Sequence, residues 1–202
     1  MSANIFLPAC AAFAQQAQAA AADTQIISPA LPVWLVERPN DDGSGLTASV
    51  FGDSAYGDYH AKAGLVIGCH PQNPQAALTL LIAPKSLGFD SDEFEGKDAT
   101  AEGPLRITAG KRSGVDLRVN GIWTHGGVFQ IGTIFALNAI TPLPRDELAY
   151  LASDAARGRT LTLSLAPAEE GGKRLTATFS IPSNNQGLKE VLQPCLGAAT
   201  KR

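Results

Sequence analysis

Leu65-Val66-Ile67-Gly68-Cys69-His70-Pro71-Gln72-Asn73-Pro74-Gln75-Ala76-Ala77-Leu78-Thr79-Leu80-Leu81-Ile82 is the stretch on which the fold turns. It holds two apolar runs, 65–69 and 77–82, each of strand length and too short for a helix. The turn Pro71-Gln72-Asn73-Pro74 lies between them, and the whole reads as a β-hairpin. Because the runs are nearly continuous rather than alternating, both strands are expected to be central and buried on both faces. Working outward, residues 33–37 and 46–51 read as further strands around the turn Asn40-Asp41-Asp42-Gly43-Ser44-Gly45. The polar, aromatic-spotted segment 52–60 reads as a loop, and 84–104 as a long irregular stretch. Strands are expected at 105–109, 115–119, 122–124 and 128–137, with turns at 111–114 and at Asn120-Gly121.

Two helices complete the pattern. Over 144–157, Leu148, Leu151, Ala152 and Ala155 recur at helical spacing, with acids in the first turn and Gly158 past the end. Residues 160–165 and 175–181 then form a hairpin across Glu169-Glu170-Gly171-Gly172. A short helix over 183–193 follows, with Leu188, Val191 and Leu192 on one side and Pro194 as its stop. The fold class is therefore mainly β: β-sandwich-like antiparallel sheets with one mid-chain helix and a C-terminal helix. No linker or repeat divides the chain, so 33–196 is expected to be a single domain, preceded by a flexible lead, 23–32, and followed by a tail, 197–202.

Composition narrows the class of function. The chain is 17% charged with a formal net charge of −3, and its Lys and Arg form no cluster larger than pairs such as Lys111-Arg112. Phosphate backbones demand a concentrated basic face, so nucleic acid is an unsuitable partner. Twenty glycines and thirteen prolines fit a turn-rich β chain. Residues 1–22 carry no charge, and hold an apolar run followed by Ala17-Gln18-Ala19, the small-residue pattern at which a secretory signal is cut. No Lys or Arg precedes that run, so the natural start is expected upstream. The rival reading is an Ala/Gln-rich helix of a cytoplasmic protein. Leu7-Pro8-Ala9-Cys10 approximates a lipobox, which would make Cys10 a lipid anchor. No run reaches the ~20 residues of a membrane span. If Cys10 leaves with the leader, Cys69 and Cys195 remain, and two cysteines in an exported domain favour one disulfide over two separate buried thiols.

Candidate chemistry is sparse. His60, His70 and His125 have no metal-ligand spacing, and HExxH and CxxC are absent. His70 follows Cys69, so on a strand the two face opposite sides. Gly43-Ser44-Gly45 sits between strands rather than at a strand-to-helix elbow, and so reads as a turn. The acidic run Asp90-Ser91-Asp92-Glu93-Phe94-Glu95 lacks a calcium-loop spacing and is expected to be solvated, although whether it holds an ion, or whether its carboxylates pair for glycoside hydrolysis, is a three-dimensional question. No glycine-rich phosphate loop is present, and neither cofactor nor metal is expected. What stands out is aromatic: Tyr56, Tyr59 and His60 in one segment, Phe89 and Phe94 in a second, Trp123 and His125 in a third. Aromatic rings in irregular segments offer rigid contact area, so these seven form the candidate partner surface, against the alternative that they cap the core.

Val33-Trp34, the Asp-rich turn, Thr47-Ala48-Ser49, Leu65-Val66-Ile67-Gly68-Cys69 and, at the end, Phe179-Ser180-Ile181 with Gly187-Leu188-Lys189-Glu190-Val191-Leu192 and Cys195 together resemble the periplasmic proteins associated with type VI secretion, of the TagO/VasI kind. The invasion-associated locus B proteins are a second similar group. The resemblance covers about residues 33–195 and departs over 84–125. It implies a non-enzymatic, periplasmic or secreted accessory or adaptor whose partner is another envelope or secreted protein. The alternatives are an immunity or inhibitor protein against a peptidoglycan-active effector, an envelope hydrolase, and a glycan or small-ligand carrier.

Overall fold

The computed structural model describes residues 25–38, 45–70, 72–96, 104–125, 130–167 and 171–197. The expected leader with Cys10, most of the turn at 40–45, Gly126-Gly127 and the end of the tail lie outside the described residues. In chain order the elements are β1 (Gln25–Ile26), β2 (Leu35–Glu37), β3 (Leu46–Tyr56), β4 (Tyr59–His70), β5 (Asn73–Ile82), α1 (Pro84–Leu87) and a 3-10 turn at Asp92–Phe94. Then come β6 (Pro104–Ala109), β7 (Val115–His125), β8 (Gln130–Ile131), β9 (Thr133–Ala139), α2 (Arg145–Ala152) and a second 3-10 turn at Asp154–Ala156. The chain finishes with β10 (Thr160–Leu165), β11 (Leu175–Ser180) and α3 (Gln186–Gly197).

The mainly β class holds, but the strands close into an eight-stranded barrel rather than a sandwich. Antiparallel pairing runs β3-β4-β5-β9-β7-β6-β10-β11 and returns to β3. Closure depends on the length of β3, whose eleven residues hand one edge from β2 to β11. Its Thr47, Ala48 and Ser49 pair with β2, and its Asp53, Ser54, Ala55 and Tyr56 pair with β11. Alternation of apolar and polar residues is the same on a barrel wall as on a sandwich sheet, so the sequence pattern does not separate the two. Full closure removes the sheet edges that would otherwise template aggregation.

The hairpin expected at 65–82 is present, with Leu65 opposite Leu80 and Ile67 opposite Leu78. Ala63, Leu65, Ile67 and Cys69 point into the barrel with Leu78, Leu80, Phe135 and Leu163, all 3% exposed or less. The outer face is covered in part: Ile26 of β1 packs with Phe51, Leu81, Ile134 and Ala136. At one end of the barrel α2 and α3 form a lid, with Leu188, Val191, Leu192 and Cys195 in the core. The disulfide Cys69–Cys195 clamps α3 to β4 there, its Cα atoms 6.0 Å apart. At the other end α1 and the first 3-10 turn close the mouth, burying Leu87 and Phe94.

Several local expectations are corrected. Segment 52–60 is the end of one strand and the start of the next, not a loop: β3 and β4 pair to their tips, Tyr56 opposite Tyr59. Asp53 and His60 are the outward half of an alternation, while Ser54 turns inward and is buried, its hydroxyl donating to the Ala61 carbonyl. The helix over 144–157 stops at Ala152, because Ser153 is extended (φ −78°, ψ 164°) before the 3-10 turn. Pro194 lies inside α3, not after it. Proline removes one backbone donor, and buried Cys195 with its bridge holds the last turn in place. Asp154 ties the start of α3, accepting from Lys189 at 2.7 Å and pairing with Arg157 at 2.8 Å. The Lys189 hydrogen bond and then the Arg157 charge hold its carboxyl below the usual range.

Asn120-Gly121 is likewise no turn, and β7 runs through it. Gly121 faces inward, where a Cβ would strike the ring of Phe135, itself fully buried. The residue is there to leave room for that ring. Replacing Gly121 by Val should therefore destabilise the barrel by about 1–3 kcal/mol, the overpacking range, read from urea unfolding. Adding Phe135→Leu should restore part of the loss. A Gly121→Val protein as stable as the parent would contradict this packing.

Candidate functional site

The barrel gathers all seven nominated residues at the end closed by α1. Tyr56 and Tyr59 are the last pair of the β3–β4 hairpin, joined by Gly57-Asp58 with Gly57 at φ 59°. Directly opposed residues share a face, so both rings rise from the barrel's inner side at the rim. Tyr56 is half-buried and Tyr59 is 57% exposed. His60, paired with Ala55, is exposed on the outer face.

Segment 84–96 is not irregular. One turn of α1 begins with Pro84 and ends at Gly88, which adopts the left-handed conformation (φ 59°). That reversal places Phe89 over the mouth. Its ring lies 5.3 Å from that of Tyr56, edge on, and 5.7 Å from that of Phe94, stacked. Phe94, 3% exposed, is a core residue that backs Phe89 and forms the floor beneath it. Glu95 then bridges to Gly121 of β7, with Gly96 N–H donating to the Gly121 carbonyl at 2.8 Å. Across the mouth, Trp123 is 37% exposed, its Nε1 donates to Glu95 Oε2 at 3.2 Å, and its ring meets Phe135 edge on at 5.3 Å. His125 is exposed at the end of β7, opposite Thr133.

Three of the seven, Tyr56, Phe89 and Phe94, line a hollow of about 170 Å³; Tyr59, His60, Trp123 and His125 stand outside its lining. Tyr56, Phe89 and Phe94 supply aromatic walls, Asp90 and Glu93 the acidic rim, and Lys173 the opposing cation. Lys173 follows the β10–β11 turn, and its amine sits 5.9 Å from the centre of the Tyr56 ring. Sequence reading missed Lys173. Its signal is the Gly171-Gly172 turn beside it, but only the closure of β11 onto β3 brings that turn to Tyr56. A second hollow, about 250 Å³, lies outside the barrel between residues 28–33 and Phe51, Lys62 and Thr178.

The acidic run divides by use. Asp90 accepts from the Asp92 amide at 3.1 Å, Glu95 is held by Trp123, and Asp92 and Glu93 stand exposed on the 3-10 turn. His70 lies at the helical end, where its Nδ1 accepts from the Gln72 amide. Among the described residues no three His, Cys, Asp or Glu side chains gather as a metal site. Among those residues, too, no helix is long and apolar enough to cross a membrane. Displaced titration belongs to the helical end as well: Arg112, hydrogen-bonded to Glu147 at 2.6 Å, is raised by that bond. Such an ion pair holds the 110–114 turn to α2 and is structural. Compared with known proteins, the chain matches no family model, no curated protein and no solved structure, so the functional reading rests on this geometry.

Proposed function

We propose that this protein is an exported, non-enzymatic binding protein of the bacterial envelope that docks another envelope or secreted protein on the aromatic end of its barrel. One observation carries the reading: side chains from the β3–β4 hairpin, the α1 segment and the β10–β11 turn line one hollow, and Tyr59 at 57% exposure and Trp123 at 37% stand beyond it at the same end of the barrel. Rigid rings around a small hollow, fixed by a closed barrel, are what an interface hot spot needs, because little side-chain entropy remains to be lost on binding. The hollow, about 170 Å³, is below the roughly 300–1,000 Å³ of small-molecule sites, which favours one inserted side chain over a carried ligand. The buried Cys69–Cys195 bridge supports an oxidising compartment. The resemblance to type VI secretion-associated periplasmic proteins supports a secretion-linked adaptor, with an immunity or inhibitor role as the close variant.

The test is site-specific photocrosslinking in cells that produce the protein. A photoreactive residue at Tyr59 should give one discrete protein adduct, lost in a Trp123→Ala background, while the same group at exposed Ala149 of α2 should give none. Equal adducts from both positions, or none from Tyr59, overturn the docking reading. Turnover of muropeptides by the purified chain, lost on neutralising Asp92, Glu93 or Glu95, would replace it with hydrolysis.

A further inference from the structure

The hollow at the aromatic end also has a chemical preference. We infer that it receives a single cationic side chain, an arginine or lysine, from the docked protein; the inference rests on the docking reading above. Two carboxylates stand at its edge without a cation: Glu93 has no hydrogen-bonding or ionic partner among the described residues, and Asp90 accepts only from the Asp92 amide. Lys173, the cation among the lining residues, pairs with neither. Its amine is drawn instead to the Tyr56 ring, 5.9 Å from the centre, and its methylenes lie across Gly57. This is the geometry in which a ring face attracts positive charge, here supplied from within the chain.

Volume and shape agree with that guest. About 170 Å³ is roughly the size of an engineered core cavity that takes one benzene ring, enough for one side chain and too little for a folded segment. The lining combines the Tyr56 and Phe89 rings with Leu165, Pro167 and Leu175, apolar surface suited to the stem of a long side chain, and Asp90 and Glu93 line the same hollow to meet its charged head. An acidic guest would meet Asp90 and Glu93, and an aliphatic one would leave them no charge to pair with. Lys173 therefore acts as a resident competitor that an entering guanidinium displaces from the ring.

Amide chemical-shift titration of the full chain tests this, with N-acetyl-arginine amide as probe and N-acetyl-norleucine amide and N-acetyl-glutamate amide as comparators. The arginine probe should shift the amides of Phe89, Glu93 and Lys173 at concentrations at least tenfold below those at which norleucine acts. Asp90→Asn with Glu93→Gln should weaken it tenfold or more. Lys173→Met should tighten it about threefold by removing the competitor, a readout that mere structural damage would not produce. Equal responses to arginine and norleucine, or a stronger response to glutamate, overturn the assignment. The two proposals fail separately. Adducts at Tyr59 without arginine binding leave docking and remove the cation pocket. Arginine binding without adducts leaves a small cation site and removes the docked protein.

Discussion

Removal of the bridge by Cys69→Ala with Cys195→Ala should lower unfolding stability by about 4–5 kcal/mol and Tm by roughly 10–15 °C. The bond joins residues 126 apart in sequence, so its main action is on the unfolded chain, whose loop-closure entropy it removes. Both cysteines are buried, at 3% and 4% exposure, so the alanines also forfeit some packing. The fold should survive, because Leu188, Val191 and Leu192 still bury one face of α3 in the core. What is lost first is the last turn of α3, already short of one backbone donor at Pro194. Amide exchange should therefore rise at 193–197 before it rises in β4. A loss under about 1 kcal/mol, smaller than most disulfides contribute, or thiols alkylated in native protein without reductant, would remove both the bridge and the strongest support for export.

Much of the fold was legible because it is local. The 65–82 hairpin announces itself through two strand-length apolar runs, and β10–β11 through alternation across a glycine turn. Helix α3 shows its stripe at Leu188, Val191 and Leu192. The barrel did not show, because closure is one non-local pairing, β11 with β3, and both sandwich and barrel accept the same alternation. The misread boundaries have a common cause. Gly121 and Pro194 are punctuation in a local reading, yet Gly121 answers a ring across the sheet and Pro194 is overridden by a sulfur link eight-tenths of the way along the helix.

The candidate site was half legible. Aromatic residues in polar segments drew attention to Tyr56, Tyr59, Phe89 and Trp123, and the barrel brings them to one rim. Nothing in the sequence says that residues about thirty to seventy positions apart share that rim, because it takes the strand order β4-β5-β9-β7 to place them. Phe94 was nominated on the same grounds and proves to be core, since an aromatic in an acidic run looks alike whether it faces water or plugs the mouth. Lys173 was missed for the converse reason: a lysine after a glycine turn has no local mark of a role.

Asn185→Ala should cost about 3–5 kcal/mol, comparable with the disulfide, although the deleted group is one small amide. Asn185 is fully buried in the segment between β11 and α3. Its Nδ2 donates to the Leu151 carbonyl at 2.5 Å and to the Ser153 carbonyl at 3.3 Å, and its Oδ1 accepts from Trp34 Nε1 at 2.6 Å. Leu151 lies in the last turn of α2, where carbonyls have no helical partner, so this side chain satisfies that end and the Trp34 indole together. Alanine would leave two buried polar groups, the Leu151 carbonyl and the Trp34 indole N–H, and the part-buried Ser153 carbonyl without this partner, each buried group worth about 1–3 kcal/mol when orphaned, partly recovered by relaxation. Aspartate should be no better, since a carboxylate would face two carbonyls. Neighbouring Asn184 is the control: it is exposed, its Oδ1 accepts from the Gln186 amide at 3.0 Å, and Asn184→Ala should cost about 1 kcal/mol or less. Urea unfolding reads all three variants. Equal losses at 184 and 185 would sink the hub. The bridge acts on the unfolded chain and Asn185 on native pairing, about 15 Å apart along α3 at helical rise. Their effects should therefore add in the combined variant, and strong non-additivity would mean that α3 docks as one unit that either change already releases.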